Sequence, residues 1–330
     1  MALSSWQKLS GECMRPILAG LLCIGLAACG GQSGRLALVS CGLGPAISLP
    51  VEVNRQAAIV TVTINQRRAR LLLDTGANVS VINRNAASVL GLTVVPDTKS
   101  VFQAVGGKAS SERATVQNLT IGGVALTDLS VGVNKETIED GVLGLDVLQQ
   151  FDADIDLPHG RITLHQGGLC EGAAPPIPGN VLEIPAKRAI VHGVGVAQVT
   201  EPYLMVPVSL DGAVTLGMFD TGALAGSLVS TTFAAKAGVS DAQLAGDQVL
   251  VARGFGTAVP LRRHRFGRLL VGRERFDMPT LLVGRDTPQV FPVILGIDYF
   301  RTHRVWFSFS TNRVFVLPDH DEPALAGEAG

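Results

Sequence analysis

The sequence contains itself twice. "RLLLDTGA" (Arg70–Ala77) and "LGMFDTGA" (Leu216–Ala223) each run an apolar strand into Asp-Thr-Gly-Ala, and the two triplets lie 146 positions apart. A single Asp-Thr-Gly is an ordinary turn, since Asp and Gly are common turn formers. Two of them, half a chain apart, demand a fold built from two copies of one unit.

The repeat extends well beyond the triplet. Upstream, "VTINQRRARLLLDTG" aligns without gaps on "VSLDGAVTLGMFDTG", and each reads as a hairpin turning at Asn65-Gln66 or Asp211-Gly212. Downstream, "SVINRNAASVLGL" aligns on "SLVSTTFAAKAGV" after one inserted residue. Both read as a strand and a short helix, with Gly91 and Gly238 where a helix end wants glycine. A long variable stretch follows, then "NLTIGGVALTDLSVGV" over "RLLVGRERFDMPTLLV". Last, "VLGLDVLQQFDADIDLPHGRITL" aligns on "ILGIDYFRTHRVWFSFSTNRVFV". The lobes are therefore residues 49–166 and 202–318, with 167–201 as a linker around the Pro- and Gly-rich "CEGAAPPIPGN" and 319–330 as a tail.

Short Val/Leu/Ile runs broken by Gly, Asn and Asp point to an all-β or mainly β chain, and 330 residues suffice for two cores. The formal charge of −1 points to no nucleic-acid partner. The one basic run, "LRRHRFGR" (Leu261–Arg268), alternates with apolar residues as a solvated strand does. The six His residues are scattered, with no His-x-x-x-His and no Cys-x-x-Cys, so no metal or cofactor is expected. "HGVGVAQV" lacks the third glycine and the helix of a nucleotide-binding loop and reads as a strand.

The first 29 residues form a secretion signal. Met14-Arg15 precede an apolar run, Ile17–Ala28, too short to span a bilayer and suited to a signal core. Met14 is an alternative start. "LAAC" ending at Cys29 resembles a bacterial lipoprotein box, which implies acylation at Cys29, a flexible tail over 30–48, and a periplasmic protein anchored by lipid. No Asp follows Cys29, which by the same resemblance favours the outer membrane. In that oxidising compartment Cys41 and Cys170 are candidates for one disulfide.

Asp74 and Asp220 are the candidate catalytic pair. "VLG" (Val142–Gly144) and "ILG" (Ile294–Gly296) recur about seventy residues after each triplet. There only glycine, Gly144 or Gly296, permits a close crossing behind the aspartate loop. With these motifs the chain resembles the retropepsin-like and pepsin-like aspartic proteases, nearest their bacterial members with Asp-Thr-Gly-Ala and a later apolar-apolar-Gly-x-Asp. The resemblance covers about 270 residues and implies a monomer, an internal pseudo-dimer of two β-barrel-like lobes with short helices. It implies an endopeptidase acting on extended polypeptide, with water activated between two carboxylates that share a proton. It also implies that Thr75 and Thr221 lock the two loops across the axis, and that Gly76 and Gly222 bring backbone close to substrate. Ala77 and Ala223 stand where pepsin-like enzymes carry a hydroxyl, so the dyad is expected to work at mildly acidic to neutral pH. "FQAVGGKAS" and "VARGFGTAV" fall where flap hairpins belong, with Gly106, Gly107, Gly254 and Gly256 at their tips. Asp146 and Asp298 are expected to anchor the short helix after the packing glycine. The competing reading is a peptide-binding lipoprotein of the same fold that does not cut.

Overall fold

A computed structural model describes residues 42–54, 57–104, 107–192, 198–253, 258–285 and 291–318. The secretion signal, Cys29, Cys41, Gly106, Gly254, Gly256 and the C-terminal tail, 319–330, lie outside these described residues.

The first half opens with β1 (Ala46–Val53), β2 (Ala58–Ile64), β3 (Arg67–Leu73), β4 (Val81–Asn83) and helix α1 (Arg84–Val89). It continues with β5 (Val94–Ala104), β6 (Gly107–Ile121), β7 (Val124–Asn134), β8 (Gly141–Leu143), α2 (Leu145–Leu148), β9 (Asp152–Asp156) and β10 (Arg161–His165). The stretch read as a linker then supplies β11 (Leu182–Pro185) and β12 (Lys187–His192), the latter leading to β13 (Gln198–Leu210). The second half proceeds through β14 (Ala213–Phe219), β15 (Leu228–Ser230), α3 (Thr231–Lys236), α4 (Asp241–Gly246), β16 (Gln248–Arg253) and β17 (Ala258–Arg265). It ends with β18 (Arg268–Val271), β19 (Glu274–Asp277), β20 (Thr280–Gly284), β21 (Val293–Leu295), α5 (Ile297–Phe300), β22 (His303–Ser308) and β23 (Arg313–Pro318).

The local chemistry follows the duplication. Asn65 and Gln66 (φ 47° and 66°) turn β2 into β3, and Asp211 and Gly212 (φ 47° and 91°) turn β13 into β14. Paired positive φ values make both turns type I′, whose twist matches the strands they join. Asn65 also accepts the Asn118 N–H at 3.1 Å. Helices α1 and α3 are capped by Asn83 and Ser230 and end before Gly91 and Gly238, both at positive φ. Helix α4 falls in the variable stretch, started by a Ser240–Gln243 capping box.

The halves meet in one shared sheet. Strands β1, β10 and β9 from the first half continue into β22, β23 and β11. At the seam β9 and β22 run antiparallel, with Ile155 opposite Val305 and Trp306 opposite Asp154. Strand β11 pairs with β23, and β12 with β13, so Leu182–His192 is built into the second half and is not a free linker. A large apolar core runs through both halves, with Leu71, Leu73, Ile155, Phe219, Tyr299, Phe300 and Val305 fully enclosed. Phe219 is ringed by Tyr299, Phe300 and Phe307 at 5.3, 6.0 and 5.9 Å. This aromatic packing holds the strand that delivers Asp220.

Candidate active site

Each aspartate sits just beyond a strand that is clamped by a parallel neighbour. Strand β3 runs beside β8 with Leu73 opposite Leu143, and β14 beside β21 with Phe219 opposite Leu295. The next backbone N–H continues each ladder: Asp74 donates to Leu143 O at 3.0 Å and Asp220 to Leu295 O at 2.9 Å. The backbone of both aspartates is thus fixed by hydrogen bonds at the ends of buried strands.

The loops interlock across the axis. Thr75 N donates to Thr221 Oγ1 and Thr221 N to Thr75 Oγ1, both at 3.1 Å. Each hydroxyl donates in turn to the opposite strand, Thr75 to Phe219 O at 2.9 Å and Thr221 to Leu73 O at 2.6 Å. Both threonines are buried. A four-bond lattice inside the protein fixes the distance between the loops, because breaking it would strand buried polar groups.

Glycine is required here for space. A Cβ built on Gly76 would fall inside the Asp220 carboxylate, and one on Gly222 inside that of Asp74. Each glycine N–H also donates to its own loop's aspartate, Gly76 to Asp74 Oδ1 and Gly222 to Asp220 Oδ1, both at 2.8 Å. Behind the loops, a Cβ on Gly144 would come within 2.9 Å of Ala77 O, and one on Gly296 within 2.9 Å of Ala223 O. The backbone crossing behind each loop therefore excludes any side chain.

Two serines complete the support. Ser80 Oγ donates to Asp146 Oδ1 at 2.7 Å and accepts the Gly144 N–H at 3.0 Å. Ser227 makes the same pair of bonds with Asp298 and Gly296, at 2.7 and 3.0 Å. Asp146 and Asp298 thus tie the first turn of α2 and α5 to the loop. No motif marks the serines, although one heads the second aligned block in each copy.

Both dyad carboxylates titrate above the usual carboxylate range. Burial raises Asp74, partly offset by the Gly76 N–H, the hydrogen bond with Asp220 and the Ala77 N–H. Asp220 is raised further, first by burial and then by the negative charge of Asp74. Two close carboxylates titrate as a unit, and the proton belongs to the pair.

A separate apolar layer lies on the face of β2, β3, β4 and β8 turned away from the main core. It comprises Ala57, Ile59, Leu72, Val81 and Val142, with Ala77 and Leu224 packed on it. Ala77 directly follows the Asp74 triplet and Leu224 is the second residue after the Asp220 triplet, so this layer borders the dyad. The expected flaps are antiparallel hairpins: β5 and β6 pair as far as Ala104 opposite Gly107, and β16 and β17 as far as Arg253 opposite Ala258. Gly107 begins β6; the tips with Gly106, Gly254 and Gly256 lie outside the described residues. Cys170 is disulfide-bonded, and the other four cysteines, Cys41 among them, also lie outside. No group of three or more His, Cys, Asp or Glu side chains suited to a metal occurs among the described residues.

The comparisons agree in both halves. Residues 60–150 match a gag-polyprotein putative aspartyl protease model, and residues 206–299 match an aspartyl protease model. No curated protein sequence matches the chain. Among solved structures, the aspartic proteinase from Irpex lacteus superposes with a TM-score of 0.51 at 13% identity, covering 83% of this chain and 97% of that one. With an aspartyl-protease domain in each half and the pepsin-like arrangement of the two, the chain belongs to the pepsin/retropepsin-like aspartic proteases.

Proposed function

We propose that this protein is an active aspartic endopeptidase that hydrolyses extended polypeptide with a water molecule activated between Asp74 and Asp220. The observation that carries this reading is the reciprocal threonine lock, which spends four buried hydrogen bonds on holding two carboxylates together. A binding protein has no need to press two acids into one site, where each raises the cost of ionising the other.

In this reading one proton is shared by the pair. The ionised carboxylate takes a proton from the bound water as it attacks the scissile carbonyl carbon. The protonated carboxyl donates to the carbonyl oxygen, and a tetrahedral diol forms. A proton passed to the amide nitrogen lets the amine leave, and the dyad returns to its singly protonated state. The apolar layer at Leu72, Val81 and Val142 supports a preference for apolar side chains beside the cut. The signal and the Leu26–Cys29 box support action in the periplasm from a lipid anchor.

The test is cleavage of an unfolded protein by the full chain between pH 3 and 8, beside Asp74→Asn and Asp220→Asn. Cleavage by the wild type and by neither variant establishes one dyad. Peptide binding without cleavage by all three proteins leaves a binding lipoprotein on a protease fold.

A further inference from the structure

The repeat fills three corresponding places in opposite ways. In the first half they hold Val124, Val147 and Phe151, and in the second Glu274, Tyr299 and His303. The match is also geometric. Val124 and Glu274 each open the strand after a glycine turn, opposite Ile121 and Val271. Val147 and Tyr299 are each the third residue of a short helix, α2 or α5. The first trio packs in or against the apolar core. The second is enclosed as well, with Tyr299 fully buried, His303 4% exposed and the Glu274 side chain 11% exposed.

The polar groups of the second trio are engaged with one another. Tyr299 Oη donates to Glu274 Oε2 at 2.5 Å, and His303 Nε2 lies 2.8 Å from Glu274 Oε1. His303 Nδ1 lies 2.9 Å from Tyr299 O, and since a carbonyl oxygen only accepts, Nδ1 carries the hydrogen. The two rings stack at 4.0 Å and 14°, and Phe276 meets both edge-on at 5.9 and 5.8 Å. Burial, and after it the charge of Glu274, holds the Tyr299 phenol well above its usual range, so it stays a donor. Replacing such a network by apolar side chains is often neutral or stabilising. Its presence in one half only therefore calls for a role other than stability.

Tyr299 connects the trio to the dyad. Its ring meets Phe219 edge-on at 5.3 Å, and an aromatic pair has a preferred geometry that aliphatic contacts lack. Phe219 is the residue before Asp220, and its carbonyl accepts the Thr75 hydroxyl that locks the two loops. On the main-chain side, Tyr299 N donates to Gly296 O and to Asp298 Oδ1, both at 3.0 Å, in the turn that packs behind the Asp220 loop. The first half has Leu73 and Val147 at the places of Phe219 and Tyr299, with no ring in either.

We propose that Glu274 and His303 clamp Tyr299, and that Tyr299 is a positioning residue for Asp220, acting through Phe219. The inference rests on the protease reading and deepens it, since the second aspartate is held by a directional device that the first lacks. Glu274 anchors the phenol hydroxyl and the stacked imidazole at once. The Tyr299 ring is thus fixed at its tip and on its face, and it presents Phe219 with one surface.

The experiment compares the full chain with Tyr299→Phe, Glu274→Val and Glu274→Gln. Tyr299→Phe keeps the ring and removes its anchor, and Glu274→Val installs the first half's residue. Glu274→Gln keeps an oxygen for the Tyr299 hydroxyl and supplies an amide N–H to His303. Values of kcat and KM are measured on an internally quenched octapeptide from the apolar sequence of β-casein, per folded molecule as set by urea unfolding. The expected result is that kcat falls about tenfold in the first two variants, less than a full misplacement of about 1 Å would cost. KM holds, and Glu274→Gln restores most of kcat. A second readout needs no activity: with an isotopic label at the aspartate carboxyl carbons, read by NMR and assigned through Asp220→Asn, the Asp220 titration moves in the first two variants and returns in Glu274→Gln. The proposal is overturned if the urea midpoints fall while kcat and the Asp220 titration stay at their wild-type values, the mark of a core network and nothing more. Tyr299→Phe, which keeps the packing, carries the test should Glu274→Val fail to fold. A wild type that leaves the octapeptide uncut fails the protease reading instead, and the carboxyl titration still decides the clamp.

Discussion

Gly76 and Asp220 come from opposite halves of the chain, yet no atom can be added to the first without displacing the second. Gly222 and Asp74 stand in the same relation. Neither glycine is at positive φ, so the constraint is volume and not backbone conformation. Gly76→Ala or Gly222→Ala is expected to push the opposing carboxylate aside. Misplacement on the order of 1 Å costs about 100-fold in rate, and overpacking costs about 1–3 kcal/mol in stability. Steady-state kinetics and urea denaturation measure the two losses. Retention of near wild-type turnover by either variant would refute the geometry.

The threonine lock makes a graded prediction. Thr75→Val keeps the volume but removes the hydroxyl that accepts from Thr221 N and donates to Phe219 O. Two buried groups are then stranded, at about 1–3 kcal/mol each. Thr75→Ser keeps the oxygen and should retain most of the stability. The denaturant midpoints should therefore rank wild type, then Ser, then Val, and the Thr221 series should follow the same order.

The raised dyad pKa has a consequence for stability with a definite sign. A carboxyl whose folded pKa lies above its unfolded value binds more protons folded than unfolded. Folding is then favoured at low pH, and stability declines as pH rises from the ordinary carboxylate range through the raised folded value. Asp220 is raised by burial and by the charge of Asp74, so Asp220→Asn removes a buried group that resists ionisation. The variant is expected to melt above the wild type at pH 7, with the gap closing towards pH 3.5. The same direction places the activity optimum of the wild type at mildly acidic to neutral pH, and a profile centred below about pH 3 would contradict it.

Much of this site is legible in the duplication alone. Asp74, Asp220, the threonines and the packing glycines stand at matching places in two copies, and each requirement is local: a turn, a close crossing, a carboxylate at a strand end. What the sequence does not disclose depends on distant pairing. Leu182–His192 looks like a connector because its strands are short, and its partners, β23 and β13, lie far along the chain or beyond a hairpin tip. Ser80 and Ser227 look like ordinary strand residues until the backbone of Gly144 and Gly296 arrives beside them. The closure of the strand edge at Arg70 depends on Asp140, seventy positions away.

The seam between the halves offers a last test, independent of catalysis. Arg304 on β22 grips Asp154 on β9 with two bonds, Nε to Oδ1 at 2.8 Å and an Nη to Oδ2 at 2.6 Å. The Asp154 side chain is 2% exposed and that of Arg304 20%. The duplication does not require this pair, since it places Trp306 at the counterpart of Asp154 and Asp152 at that of Arg304. Arg304→Met keeps much of the packing and leaves a buried carboxylate without its cation, which costs about 3–5 kcal/mol. Arg304→Met with Asp154→Asn removes the stranded charge and should recover part of that loss. Denaturant unfolding of the wild type, the single variant and the double variant measures both steps. Because the pair bonds no residue of the dyad loops, turnover by the folded fraction should hold in both variants while the midpoint moves. A fall in turnover with an unchanged midpoint would show that the seam positions the dyad and does not merely hold the halves together.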